Sequence, residues 1–266
     1  MKKGRGLAAY TGLVIIYLFI PIAIMILFGF NDPVGRFNFA WQGFTLDWYR
    51  RLFEVEDLTE ALRNSLLAAA VATVISTILG SLMALALTRY RFRGRGLLNV
   101  FIFLPMATPE VVMGVSLLGL FVTLDVARGA LTVFIAHILF CVSYVVVTVK
   151  ARTSGLGREY EEAAQDLGAD PWTTFWTVTF PMIFPGIMAA SLLAAALSVD
   201  DYVITSFNAG PFQTFPLWVY GASRIGVPPQ VNVMGTILFM VGVISVVISL
   251  LRARRAGAMP AMLDRA

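Results

Sequence analysis

Four residues in or beside long apolar stretches of this sequence could bind a cation: Glu110, Asp200, Asp201 and Tyr202. A carboxylate inside such a stretch is costly unless it faces a polar cavity or a partner, so it indicates a functional site. Carboxylates beside an aromatic ring attract polyammonium ligands through ion pairs and cation–π contacts. We therefore predict that these residues line a path for a small cationic solute.

A structural interpretation of the same acids stays open, in which they pair with Arg63, Arg128 or a partner chain and only hold helices together. His137, the only histidine, is interpreted as a hydrogen-bonded residue at a helix interface rather than as a proton carrier. A single histidine and a single cysteine exclude a multi-histidine metal site and an intrachain disulfide bond. We predict no catalytic residue and no metal site in this chain.

A second group of residues, in the segment 153–184, could bind a protein partner. Strong helix formers and charges occupy 158–167, and Gly168 is placed to end that helix. Asp170 followed by Pro171 predicts a new helix, because Asp caps free amide groups and Pro suits the first helical position. The pattern predicts two short helices joined by a glycine turn, projecting as a docking surface. The alternative is an amphipathic hairpin that lies on the lipid surface.

The composition indicates that a membrane positions these groups. Of the 266 residues, 58% are hydrophobic and only 14% are charged, and the mean hydropathy is +0.80. A water-soluble domain carries about 25% charged residues, whereas a transmembrane helix needs about 20 consecutive apolar residues. We therefore expect an all-α polytopic membrane protein with six transmembrane helices. The six predicted spans are Leu7–Phe30, Arg63–Thr88, Leu97–Thr123, Ala130–Lys150, Pro185–Phe207 and Val231–Leu251.

The basic residues predict the orientation of these spans. Most of the 20 Lys and Arg residues fall on the side of the two termini. Those on the other side are Arg36, Arg50, Arg51, Arg63, Arg128 and Arg224. Because basic residues concentrate in cytoplasmic loops, both termini are expected in the cytoplasm. The same rule explains the pI near 9.4, so we predict no nucleic-acid partner.

The segment 153–184 also matches a known motif. The matching residues are, in order, Glu162, Ala163, Ala164, Gly168, Val178, Phe180 and Pro181. Their spacing resembles the EAA motif, E-A-A-x3-G-x9-I-x-L-P, of the permease subunits of type I ABC importers, the binding-protein-dependent transport inner-membrane components. Val178 and Phe180 replace the usual Ile and Leu, and both exchanges are apolar.

The resemblance implies a fold, a location and partners. It implies one permease domain, 1–266, with the six-helix type I ABC importer transmembrane fold in a bacterial inner membrane. The segment 153–184 would be its cytoplasmic coupling loop, seated in a cleft of an ABC ATPase dimer. The other implied partners are a homologous second permease, forming a heterodimer, and an extracytoplasmic substrate-binding protein. This chain would bind no cofactor, because ATP and Mg belong to the ATPase, and none of its lysines closes a GxxxxGK[ST] loop.

The resemblance further implies ATPase-coupling roles for individual loop residues. These residues are Glu162, Ala163, Ala164, Gly168, Asp170 and Pro181. Glu162 would offer charge-assisted hydrogen bonds to the ATPase, and Gly168 would permit the sharp turn. A rigid loop gripped by a closing ATPase dimer can pass a rigid-body rotation to the attached spans. The chain would therefore be a transport subunit and not an enzyme.

Further matches lie across most of the chain. They are Asn31, Trp41–Thr45, Trp48-Tyr49, Asn64–Leu66, Leu104-Pro105, Pro109-Glu110 and Ser198–Thr205. Together they resemble the spermidine/putrescine permeases, in particular their second permease subunit, which implies a polyamine solute. The alternatives are a related importer for thiamine, iron(III), sulfate or a phosphonate, an ion-coupled secondary carrier, and a membrane enzyme. A secondary carrier would leave the EAA spacing unexplained.

Overall fold

The structure, a computed structural model, describes residues 2–35 and 37–255. Within them it contains twelve α-helices and one π-helical segment, Phe175–Thr179. In lipid, backbone polar groups must be satisfied within the segment, which favours helices for such apolar runs. The α-helices are α1 Lys2–Phe28, α2 Asp47–Arg50, α3 Glu56–Arg89, α4 Arg95–Ala107, α5 Glu110–Thr123, α6 Ala130–Ser154, α7 Glu159–Asp166, α8 Pro171–Thr174, α9 Phe180–Asp200, α10 Val203–Asn208, α11 Phe215–Ala222 and α12 Pro229–Arg255.

Among the described residues, five helices are long and apolar enough to cross a membrane. They are α1, α3, α6, α12 and the run Pro171–Asp200, which joins α8, the π-helical segment and α9. A sixth span results if α4 and α5 together count as one. Six is thus the upper number that the helices support, and the sixth span stays a prediction.

The third predicted span is broken in the middle. Helices α4 and α5 meet at 107°, and Thr108 and Pro109 between them are extended, with ψ values of 130° and 135°. Pro109 lacks an N–H and disfavours helical backbone at the residue before it, so α4 ends there. The interruption falls at Pro109, whereas Pro105 stays inside α4. The break makes Glu110 the first residue of α5.

The prediction for the fifth span, Pro185–Phe207, was wrong at both ends. Helical structure begins earlier, at Pro171, and ends earlier, at Asp200. Asp201 leaves the helix, with a ψ of 117°, and the chain then starts the separate helix α10. Apolar residues lie on both sides of Asp200 and Asp201, so hydropathy averaged over a window does not separate α9 from α10.

The chain divides into two compact units. Within the described residues they comprise 2–59 with 218–244, and 60–217 with 245–255. In the first unit, the segment after α1 is organised around buried Asn31. Its side chain donates to Asn38 Oδ1 (2.6 Å) and accepts from the backbone N–H of Gln42 (2.7 Å). The indole N–H of Trp48 donates to the Asn31 carbonyl (2.7 Å), so Asn31 has a structural role here.

The second unit packs around α6. Buried residues of α6, among them Val145, belong to one apolar cluster with Ala190 and Ala194 of α9. Helix α3 approaches α6 closely, because a Cβ on Gly80 would lie 2.6 Å from the Val145 side chain. Small residues allow such close helix packing in membranes. This cluster packs together α6 and α9, the helices that flank the segment 153–184.

Candidate functional site

The turn at Gly168 follows α7 directly. Gly168 has a φ of +90°, in the left-handed region that favours glycine. Its N–H donates to the Gln165 carbonyl (2.9 Å), and the N–H of Ala169 donates to the Ala164 carbonyl (3.0 Å). These two bonds form a Schellman motif that closes the last turn of α7. A Cβ on Gly168 would meet nothing within 4 Å, so the backbone conformation alone requires glycine.

Asp170 begins the next helix. Its Oδ1 accepts from the N–H groups of Trp172 (2.9 Å) and Thr173 (3.2 Å), and its Oδ2 accepts from the Thr173 hydroxyl (2.5 Å). Pro171 follows at the start of α8. These bonds, those from Thr173 first, stabilise the charged carboxylate and hold the pKa of Asp170 below its ordinary value. The predicted helix, glycine turn and Asp cap are confirmed.

The prediction of a separate, short second helix in the loop was wrong. From Pro171 to Asp200 the chain is one helical run of 30 residues, interrupted in its hydrogen-bond pattern only by the π-helical segment. At 1.5 Å per residue this run is about 45 Å long. The Asp170 cap therefore stands at the end of a membrane-spanning helix, and a force applied there acts on that helix directly.

The other predicted coupling residues lie on an open surface of the loop. Glu162, Ala163 and Pro181 are exposed, and Ala164 is half-buried. Trp172, at the start of α8, is 71% exposed. An exposed indole beside exposed polar residues is a surface that a partner protein can bury.

Glu161, which was not among the predicted site residues, is the acid of α7 that forms an ion pair and a side-chain hydrogen bond. Its Oε1 lies 2.9 Å from Nη2 of Arg89 and accepts a hydrogen bond of 2.9 Å from the Thr179 hydroxyl. The Glu161 and Arg89 side chains are only 19% and 15% exposed. Arg158 donates from Nη2 to the Arg89 carbonyl. These contacts connect the loop to the end of α3.

Helical spacing puts Glu161 and Ala164 on one face of α7, but the sequence does not show which face of α7 packs against the protein. Glu161 and Ala164 are the two half-buried residues of α7, and positions three apart share one face of a helix. Glu162 lies one position away and is exposed. Arg89, the ion-pair partner of Glu161, is the last residue of α3. Nothing local in the sequence connects Arg89 with Glu161.

Two of the predicted path residues are brought together. Glu110 opens α5, Asp200 ends α9 just before α10, and both side chains are exposed. Helix α5 packs on α10, which follows Asp200, and the Asn208 side-chain amide donates to the Gly114 carbonyl (3.2 Å). The arrangement places both acids at the junction of α5, α9 and α10.

Asp201 has different surroundings from Asp200. It is buried, with 8% exposure. Its Oδ2 accepts from the N–H (2.8 Å) and hydroxyl (2.6 Å) of Thr205, and its Oδ1 accepts from the N–H of Ile204 (3.3 Å). The same Oδ2 lies 3.3 Å from His137 Nε2. Asp201 therefore caps α10 and pairs with a histidine rather than with an arginine.

His137 lies at a helix interface, as the sequence analysis interpreted it. Its Nδ1 is 2.7 Å from Ser198 Oγ and its Nε2 is 2.8 Å from Thr205 Oγ1, so the ring joins α6, α9 and α10. Tyr202, the residue before α10, is half-buried. Within the described part of the chain, no group of three or more His, Cys, Asp or Glu residues is arranged to hold a metal ion.

Comparison with known proteins identifies the family. Residues 76–255 match the family described as binding-protein-dependent transport system inner membrane component. The chain belongs to this family of permeases. The matched part of the permease contains the Gly168 turn, the Arg89–Glu161 pair and the acidic residues at Glu110 and Asp200.

Individual relatives cover nearly the whole permease. It is 41% identical over 239 residues to the spermidine/putrescine transport system permease protein PotC of Escherichia coli K12, with 90% of each chain covered. It is 39% identical over 247 residues to the putrescine transport system permease protein PotI of the same strain, with 90% of this chain and 87% of PotI covered.

The fold is also that of known transporter structures. One chain of a bacterial ABC transporter involved in import of the acidic polysaccharide alginate matches with a TM-score of 0.65 and 19% identity, and 95% of both chains is covered. A second alginate transporter structure, in complex with a periplasmic protein bound to an alginate pentasaccharide, matches with a TM-score of 0.67, 16% identity and 96% of both chains covered. At this identity the likeness shows the fold alone.

Proposed function

We propose that this permease forms half of the translocation path of an ATP-driven importer for a polyamine such as spermidine or putrescine. The observation that carries the proposal is the rigid unit of loop and span. The Schellman turn at Gly168 and the Asp170 cap lead without interruption into the helical run Pro171–Asp200. A partner that moves the loop must move that span with it.

The partners follow from this mechanical role. The loop, 153–184, docks in a cytoplasmic ABC ATPase dimer that binds ATP and Mg, while this chain binds neither. Glu162 forms charge-assisted hydrogen bonds with the ATPase, and exposed Ala163, half-buried Ala164 and Pro181 fit its cleft. A homologous second permease completes the path, and an extracytoplasmic binding protein delivers the solute.

The proposed orientation has both termini in the cytoplasm of a bacterial inner membrane, with 1–266 as one permease domain of six spans. The excess of Lys and Arg on the side of the termini supports this orientation. It puts the 153–184 loop on the cytoplasmic side, where the ATPase is found. It puts the end of α9 at Asp200 toward the outer side.

The substrate class is supported by the acidic pair and by the relatives. Glu110 and Asp200 are two exposed acids at the junction of α5, α9 and α10. A ligand with two ammonium groups can pair with both carboxylates. PotC and PotI, which are 41% and 39% identical to this chain, are named as polyamine permeases. Tyr202, two residues after Asp200, can contribute an aromatic face.

The experiment that tests the proposal is reconstitution of the permease with its second permease, ATPase and binding protein in liposomes. Uptake of radiolabelled spermidine should require ATP, stop with vanadate, and be competed by unlabelled putrescine but not by thiamine or sulfate. Uptake by the permease alone would indicate a secondary carrier. Competition by thiamine or sulfate, with none by putrescine, would overturn the substrate assignment and leave the importer class standing.

A further inference from the structure

We propose that the Arg89–Glu161 ion pair is a second mechanical link of the coupling loop, which passes the displacement of the loop to span α3. The proposal rests on the proposed function, because it takes the loop to be the docking site of an ATPase. The first link is the continuous helix Pro171–Asp200. The second link is non-covalent and joins α7 to the last residue of α3.

Polar contacts, rather than apolar packing, hold α7. None of its residues is buried, so apolar surface contributes little to its position. The Glu161 carboxylate lies 2.9 Å from the Arg89 guanidinium, and Arg158, just before α7, donates to the Arg89 carbonyl. The position of α7 relative to α3 thus depends on Arg89.

Both members of the ion pair are held in place by other groups. Arg89 Nη1 donates to the Leu156 carbonyl (3.3 Å), and Glu161 Oε1 accepts the Thr179 hydroxyl, whose residue is 7% exposed. Thr179 ends the π-helical segment inside the run that leads to α9. The bridge therefore joins three elements, which are α3, α7 and the start of the α9 span.

The bridge borders a cleft and is not backed by tight packing. A cleft of about 500 Å³ opens between the end of α3 and the loop. Its lining includes Leu82, Ala86, Arg89, Glu161, Phe175 and Thr179. Because open space separates the apolar surfaces here, displacement is transmitted through the polar contacts. The pair is mostly removed from water, so solvent screens it less than it screens a surface ion pair.

The two links have different consequences for transport. Loss of the covalent link is impossible without breaking the helix. Loss of the bridge leaves α9 driven by the loop, while α3 keeps only the remaining contacts with the loop, such as the bond from Arg158 to the Arg89 carbonyl. The ATPase then still docks and hydrolyses ATP, but less solute is moved for each ATP consumed. This lowered ratio separates transmission from a purely structural role, which would change assembly or thermal stability instead.

A double-mutant cycle tests the link in the reconstituted four-component importer. The variants are Arg89→Met, Glu161→Gln and the two combined, and the quantity measured is spermidine transported per ATP hydrolysed. We expect each single change to lower this ratio by about 5-fold, the lower end of usual coupling effects. The combined variant should be no worse than Arg89→Met alone, because that change already removes the ion pair that Glu161→Gln removes, together with the Arg89 bond to Leu156.

Matched controls lie beside each residue. Arg91→Gln and Glu159→Gln remove exposed charges next to the bridge and should leave the ratio unchanged. Independent, multiplying losses in the double variant would overturn the proposal.

If Glu161→Gln fails to assemble, Glu161→Asp shortens the acid by one methylene and retains its charge. An assembled Glu161→Asp importer with an unchanged ratio would also overturn it, whereas a wild-type complex without ATP-dependent uptake would reject the proposed function instead.

Discussion

Two aspartates of this permease cap helices with the same chemistry in opposite surroundings. Asp170 accepts two backbone N–H groups and the Thr173 hydroxyl at an exposed loop. Asp201 accepts two backbone N–H groups and the Thr205 hydroxyl in the core, beside His137. The exposed cap defines the end of a surface element that a partner can grip. The buried cap fixes the break between α9 and α10.

The surroundings of the two aspartates determine how much each carboxylate contributes to stability. At Asp170 the hydrogen bonds replace bonds that water would otherwise make, so their net contribution is modest. At Asp201 there is little water to replace them, and removal of the carboxylate leaves buried donors without an acceptor. The neighbouring acid, Asp200, is exposed and takes no part in the cap, which is consistent with its proposed place in the solute path.

The largest expected effect is that of Asp201→Ala. The change removes the acceptor for the N–H groups of Ile204 and Thr205 and the partner of His137, and we expect a loss of about 3 kcal/mol of stability. Thermal unfolding of the purified complex and the yield of assembled complex measure it. Asp201→Asn should recover much of the loss, because Asn also caps helices well.

The adjacent change Asp200→Ala is the matched control for that experiment. It removes an exposed carboxylate one position away and should leave the unfolding temperature close to that of the wild type. If Asp201→Ala assembles with normal thermal stability and loses only spermidine uptake, then Asp201 contacts the solute and the contrast between the two aspartates is wrong.

The next effect concerns the acidic pair. Glu110→Gln and Asp200→Asn each remove one negative charge from the proposed path while nearly preserving side-chain shape. We expect each to raise the apparent KM for spermidine by about tenfold, equivalent to about 1.4 kcal/mol of lost binding. Glu60→Gln, an exposed acid on α3, should leave the KM unchanged. Unaltered uptake kinetics in both path variants would exclude the pair from the path.

Gly168→Ala tests the turn of the exposed cap region. Alanine fits the space but disfavours the φ of +90°, and we expect a local cost of about 1 kcal/mol together with reduced ATP-coupled uptake. Gly155→Ala is the matched control, because Gly155 ends α6 with a φ of −83° that any residue adopts. Equal transport by the two variants would show that the left-handed turn is not needed.

The smallest effect is a pH dependence at Asp170. Because hydrogen bonds lower its pKa in the folded state, the cap is stabilising above the unfolded pKa of about 4 and is lost as pH falls through the lowered value. Hydrogen exchange at the Trp172 and Thr173 amides should show faster local opening at acidic pH. Asp170→Asn, whose amide does not titrate, should remove this pH dependence; if it persists, another group is responsible.

The sequence predicted the exposed cap better than the buried one for a physical reason. Gly168, Asp170 and Pro171 act on the backbone of neighbouring residues, so the local sequence is enough to predict their roles. The roles of Asp201 and Glu161 depend on His137 and Arg89, which are distant in sequence. Only the packed structure brings these partners within hydrogen-bonding distance.

The broken spans show a similar division. Pro109 marks the break between α4 and α5, because proline acts on its own backbone and on the preceding residue. At the end of α9 the local mark is Asp201, a residue type that caps helices, but apolar residues on both sides hide the break from averaged hydropathy. The capping bonds from Asp201 define that boundary, and hydropathy does not detect hydrogen bonds.

The docking of the exposed loop on an ATPase is the central claim, and cross-linking tests it directly. Cys141, the only cysteine, is buried, so a thiol introduced by Ala163→Cys on α7 is the one available to a bifunctional reagent. In the assembled importer it should link to the ATPase chain, whereas Leu124→Cys, exposed after α5, should not. Equal linkage from both positions, or none from Ala163→Cys in an importer that transports spermidine, would contradict the account.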